Sequence, residues 1–177
     1  MIKSKARVKT RNVFIMLVLN KLVSSFYEAY WILTELPSLN KVTRSNKISK
    51  QGPILLMILT GLVLAGSVVI NKLAYDAINM VRLSAGFLLL LLAQLILLVK
   101  LRFHVKGLVE KLYDRITLHP LGVFFFGVYY IQSKINQKQM KKCPWMYRIL
   151  PSWLVLFAIT LFIYLLIFLF TLTSALV

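Results

Sequence analysis

The groups best suited to chemistry gather between residues 104 and 119. Glu110 and Asp114 stand one helical turn apart, with His104 before them and His119 after. Carboxylates and imidazoles held together supply an acid, a base or metal ligands, as hydrolytic and metal-assisted reactions require. Here no metal-binding pattern, nucleophile elbow or phosphate-cradling glycine loop organises them. Neighbouring cations also give the carboxylates ordinary partners, Lys106 for Glu110 among them. The expectation is a charged helix face with no catalytic, cofactor-binding or metal role.

Three other polar features stand out against apolar surroundings. Asn20, Lys21, Ser24, Ser25 and Glu28 fall at helical spacings and form one stripe on Val13 to Leu36. Lys21 and Glu28 could form a buried relay, but the reading adopted is the wet side of an amphipathic helix lying in a membrane interface. Phe14, Leu17, Tyr30 and Trp31 would then face lipid. Gln94 lies deep in an apolar run and suits an interhelical hydrogen bond worth about 0.6 kcal/mol. Cys143 follows two lysines beside Pro144 and Trp145, a setting compatible with palmitoylation, although an inert thiol is expected. A single cysteine excludes an intramolecular disulfide framework.

The elements that carry these groups are set by hydrophobic blocks. Pro53 to Ile70 is eighteen residues without a charge and Leu83 to Val99 is seventeen, each near the length that crosses about 30 Å of hydrocarbon. The short connection from Asn71 to Arg82 forces them antiparallel, as a transmembrane hairpin. Trp153 to Val177 has no charge in 25 residues and reads as a third span, opened by Pro151. The composition agrees, with 59% hydrophobic and 15% charged residues against about 45–50% and about 25% in soluble domains.

Charge then fixes the orientation. The net charge of +17 would suggest nucleic acid in a soluble protein, but its distribution argues for a membrane and against nucleic acid. Residues 1–52 hold ten cations and residues 100–152 another ten, whereas 71–82 hold only Lys72 and Arg82. The hairpin places both large groups on one side, which the positive-inside rule makes cytoplasmic, or matrix or stromal in an organelle. Anionic headgroups are the expected partners of this face. The contacting residues are Lys3, Lys5, Arg7, Lys9 and Arg11 in a flexible N-terminal arm, Lys41, Arg44, Lys47 and Lys50 in a linker, and Lys134, Lys138, Lys141 and Lys142 after an aromatic segment. The apolar run Val13 to Leu19 is short and lacks a cleavage site, so no signal peptide is expected.

Four regions follow. Residues 1–52 form the arm, the interfacial helix ended by Pro37 and the linker; 53–101 form the hairpin. Residues 102–152 carry an amphipathic helix over Lys100 to Arg115 and an aromatic segment, Leu118 to Ile131, whose eleven break-free residues reach only about 16 Å. That segment is expected to be interfacial or re-entrant. Residues 153–177 form the last span. The predicted fold class is all-α, an integral membrane protein with three transmembrane helices and two interfacial or re-entrant segments. Gly61, Ala65 and Gly66 on one helix, and Gly86, Ala93 and Gln94 on the other, are the expected packing positions. The functional reading is a non-catalytic accessory or assembly subunit that docks a membrane-protein partner through its helices. An interfacial lipid-modifying enzyme and a small transporter or immunity-type protein are the competing readings.

Overall fold

The computed structural model describes residues 7–23, 25–41, 47–72, 77–113, 116–140 and 142–175. Among them there is no strand. The helices are α1 (Val13–Val23), α2 (Ser25–Leu39), α3 (Gln51–Lys72), α4 (Ala77–Leu112), α5 (Pro120–Gln139) and α6 (Ile149–Ala175), with a 3₁₀ turn at Trp145–Tyr147.

Among the described residues, two helices are long and apolar enough to cross a membrane, over Gln51–Val69 and Ala85–Leu112. In the apolar eighteen-residue core of each, only 17% of the residues are buried within the molecule. A core helix of a soluble domain would be mostly covered, whereas these two leave their apolar surfaces largely exposed. Helix α4 has 36 residues, about 54 Å at 1.5 Å per residue, well beyond a bilayer's hydrocarbon thickness. The amphipathic stretch after Lys100 is thus a continuation of the second apolar helix. Its Leu101, Val105, Leu108 and Val109 are buried, and this three-and-four spacing forms one stripe against α2 and α5.

The core sits in a platform built from α1, α2, α5 and this lower part of α4. Asn12 caps α1 by accepting the backbone N–H of Ile15 at 3.2 Å. Helix α2 then returns, so that Arg11, just before α1, meets Glu35, near the end of α2, at 2.9 Å. The expected single helix over Val13 to Leu36 is instead a helical hairpin. Its tip lies beside the middle of α3, where a Cβ on Gly61 would be 3.8 Å from the Phe26 ring. Pro37 does not end α2, which runs on to Leu39. Asn40 then clamps Ile48 from both sides, donating to its carbonyl and accepting its N–H, each at 2.9 Å.

Residues 7–12 do not form a free arm. Val8 is buried; its N–H donates to the Tyr113 hydroxyl at 3.0 Å and its carbonyl accepts from Gln139. The carbonyls of Lys9 and Arg11 accept from Gln132 and Asn136. Unpaired backbone groups seek partners when buried, and the amide-rich face of α5 supplies them. This strap closes the platform from below.

Helix α6 packs on α1, α5 and the 3₁₀ turn, and among the described residues it touches neither α3 nor α4. Its side chains from Trp153 to Tyr164 are apolar and largely exposed. The α3–α4 pair and α6 therefore leave the platform as two separate columns.

Candidate functional site

The polar centre of the platform lies where α2, α4 and α5 meet. Glu28, 2% exposed, is gripped by Arg102 in a two-point fork: Nε donates to Oε2 at 2.9 Å and Nη2 donates to Oε1. The backbone N–H of Val128 is near enough to Glu28 to favour its charged form, and Arg102 Nη1 donates to the carbonyl of Phe124. Burial pushes the Glu28 carboxyl up from its ordinary value, and the Arg102 guanidinium pulls it back.

Gly127 makes this arrangement possible. Its backbone, at φ 51° and ψ −134°, is reached readily only without a Cβ, and it breaks α5 into two arms. A Cβ there would lie 2.5 Å from Arg102 Nε and 2.8 Å from Glu28 Oε2. The arms fold toward each other, so that a Cβ on Gly122 would strike the Tyr130 ring at 2.8 Å. The aromatic segment is thus a bent helix rather than the expected eleven-residue run without a break. The elbow frees the Phe124 carbonyl and the Val128 N–H from helical pairing and points them at the ion pair.

Beside the pair lies a cavity of about 280 Å³, lined at its polar end by Asn20, Glu28, Arg102 and Tyr129. Phe125, Phe126, Trp153 and Phe157 form its aromatic wall. The Tyr129 hydroxyl is buried and has no hydrogen-bond partner. Burial, with the Glu28 charge nearby, pushes this phenol well above its ordinary value, so it remains a neutral donor.

No known protein family, curated protein or solved structure matches this chain. Below the ion pair, Trp31 Nε1 donates to Gln132 at 2.8 Å, and Gln132 donates to Asn136 at 2.9 Å. These bonds tie α2 to α5 and leave the buried amides satisfied.

Several expected positions lie elsewhere than the sequence suggests. Glu28 is not on a wet stripe, and Trp31 and Leu17 do not face outward; all three are buried. The cause is the helical hairpin, which gives α2 neighbours on both sides and offers Glu28 a guanidinium from another helix. Glu110 accepts the Leu118 N–H at 2.8 Å and lies 3.6 Å from Lys106. His119 is exposed, Asp114 lies outside the described residues, and among those described no group of three His, Cys, Asp or Glu could hold a metal ion.

Of the packing positions, Gly66 is in close contact, 3.1 Å from the Phe87 ring for an added Cβ. Gln94 Nε2 donates to Thr60 Oγ1 across the two helices at 2.9 Å. Gly61 has only ordinary contact distance, Ala65 and Ala93 are exposed, and nothing lies within 4 Å of a Cβ on Gly86. Among the described residues, Gly86 thus packs against no other helix of this chain. Among the cations, Arg7, Lys9, Lys41, Lys47, Lys50, Lys138 and Lys142 are exposed. Lys134 sits 5.7 Å from the centre of the Tyr130 ring. Arg11 is not available to headgroups as expected, because Glu35 and Thr34 hold its guanidinium. Lys3, Lys5, Arg44 and Lys141 lie outside the described residues. Cys143 is half-buried and reduced.

The Glu28–Arg102 pair, the Gly127 elbow and the Tyr129 hydroxyl were not assembled by sequence reasoning. The available signals were an acid among aromatic neighbours in a chain with only five acids, and an arginine just past a long apolar run.

Proposed function

We propose that this chain is a non-catalytic, multi-pass membrane protein that serves as an accessory or assembly subunit of a membrane complex. In this reading α3, α4 and α6 each cross the bilayer, with the platform and N-terminus on the cytoplasmic, matrix or stromal side and the C-terminus opposite. The exposed lysines of the platform contact anionic headgroups, each adding about 1 kcal/mol near the surface.

One observation carries the reading: the described carboxylates are tied up within the platform, while apolar helix and lysine dominate what faces outward. Each described carboxylate is engaged structurally, Glu28 by Arg102, Glu35 by Arg11 and Glu110 by the Leu118 N–H. A general acid or base needs a free carboxyl or imidazole within reach of substrate. Outward, Leu88, Leu89 and Ile96 of α4 are more than half exposed. Such a ridge suits packing against a partner's transmembrane helix, since helices in lipid associate by shape and contact.

The test is photo-crosslinking in native membranes from Leu89 and Ile96, with buried Leu101 as the control position. A discrete protein adduct from the two outward positions, recovered in fixed ratio to the chain, is the expected result. Adducts to lipid alone at both positions would overturn the docking role.

A further inference from the structure

The cavity between the α1–α2 hairpin, the α5 elbow and α6 has the two-ended character of an amphiphile site. Phe125, Trp153 and Phe157 are 68%, 40% and 54% exposed, so its mouth is rimmed by apolar rings on the side where α6 stands apart from α3 and α4. At the other end are the Asn20 amide, the Arg102 guanidinium and the Tyr129 phenol. A volume of about 280 Å³ falls just below the range of about 300–1,000 Å³ that holds a drug-sized ligand. It takes a head and leaves long chains outside.

Charge selects the head. Glu28 and Arg102 cancel each other, and among the described residues no other charged side chain lines the cavity. A phosphate or free carboxylate entering there would lose its water without gaining a counter-charge, a strongly unfavourable exchange. The polar end holds several donors that are not used within the protein. Tyr129 has an unpartnered hydroxyl, Asn20 offers its amide, and a guanidinium has five N–H groups, of which three are used by Glu28 and Phe124. A donor-rich, uncharged pocket is matched by an acceptor-rich, uncharged head.

We propose that this cavity binds the head of a neutral acylglycerol, taking the ester carbonyls and free hydroxyl of a diacylglycerol between Asn20, Arg102 and Tyr129 while the acyl chains leave past Trp153 and Phe157. The inference shares with the preceding section only the placement of α6 in lipid, and it stands whether or not a protein partner docks on α4.

The experiment uses the full chain in phosphatidylcholine nanodiscs with a diacylglycerol probe carrying a diazirine on one acyl chain. Saturable labelling of α6 peptides is expected, displaced by dioleoylglycerol and at least tenfold less effectively by dioleoyl phosphatidic acid or oleic acid. Tyr129→Phe should weaken dioleoylglycerol about tenfold, the effect of one lost hydrogen bond, while leaving the lipid-free protein as stable or more so. Leu156→Trp, which fills the cavity, should abolish saturable labelling. Non-saturable labelling, equal displacement by phosphatidic acid or oleic acid, or labelling undiminished in both variants would overturn the proposal. Loss of partner adducts at Leu89 and Ile96 with labelling intact would count only against the docking role.

Discussion

Replacing Gly127 by alanine puts the elbow of α5 under a quantitative test. The new methyl meets two obstacles at once. A residue with a Cβ held at φ 51°, ψ −134° bears about 1–3 kcal/mol of backbone strain. The same carbon would overlap Arg102 Nε at 2.5 Å and Cζ at 2.8 Å, and neither atom is a loose chain end, because the fork on Glu28 fixes both. Relief requires moving the guanidinium, and separating a buried ion pair costs about 3–5 kcal/mol. The two costs overlap, since moving one group eases the other, so a net loss of about 3 kcal/mol is expected. For a chain of this size each kcal/mol shifts the unfolding midpoint by about 2–4 °C. The full-length variant in nanodiscs should therefore melt about 6–12 °C below the parent. Gly86→Ala is the internal control: nothing lies within 4 Å of the added methyl, and alanine is the better helix former by about 1 kcal/mol. A Gly127→Ala midpoint within 2 °C of the parent, or no lower than that of Gly86→Ala, would refute the elbow geometry.

Three further outcomes follow from the same structure. Glu28→Leu and Arg102→Met should each destabilise by about 3–5 kcal/mol in thermal unfolding, because each leaves one charge buried without its partner. The double variant should recover most of that loss, and strictly additive losses would show that the two groups are not coupled. In a Cys143→Ser background, single cysteines at Asn46 and Gln137 should be shielded from an impermeant thiol reagent outside intact cells, and one at Ala77 labelled; the opposite pattern would invert the proposed orientation. Enrichment of anionic lipid around the protein should decline as salt rises past roughly 0.15 M, where the Debye length is about 8 Å. Salt-independent enrichment would assign it to apolar contacts.

The two apolar helices were legible because length and lack of charge are local properties, each confined to fewer than twenty consecutive residues. Gln94 was conspicuous for the same reason, being one amide in an apolar run, though nothing local identified Thr60 as its acceptor. Glu28 was misread because its surroundings are set by residue 102, and 74 positions separate the partners. Taken alone, Val13 to Leu36 is amphipathic, and the polar stripe looks wet until another helix supplies a guanidinium. The break at Gly127 was hidden differently. Glycine permits many backbone states, and only Arg102 and Glu28, packed against its missing side chain, select this one. Val8 and the strap carry no periodicity at all, and their partners are amides and a phenol on segments that read as ordinary polar chain.

That strap also dictates an order of assembly during synthesis. Val8, Lys9 and Arg11 leave the ribosome well before their partners Tyr113, Gln132 and Asn136, which come 105, 123 and 125 positions later. At about 5–20 residues per second the wait is roughly 5–25 s. The α3–α4 pair ends at Leu112, before α5 has emerged, so under the proposed membrane reading it is free to enter the bilayer while the platform is still open. Residues 7–12 then act as the closing stitch, drawn in only when α5 has emerged, and a bulky group that holds them back would leave the platform open beneath its Glu28–Arg102 centre.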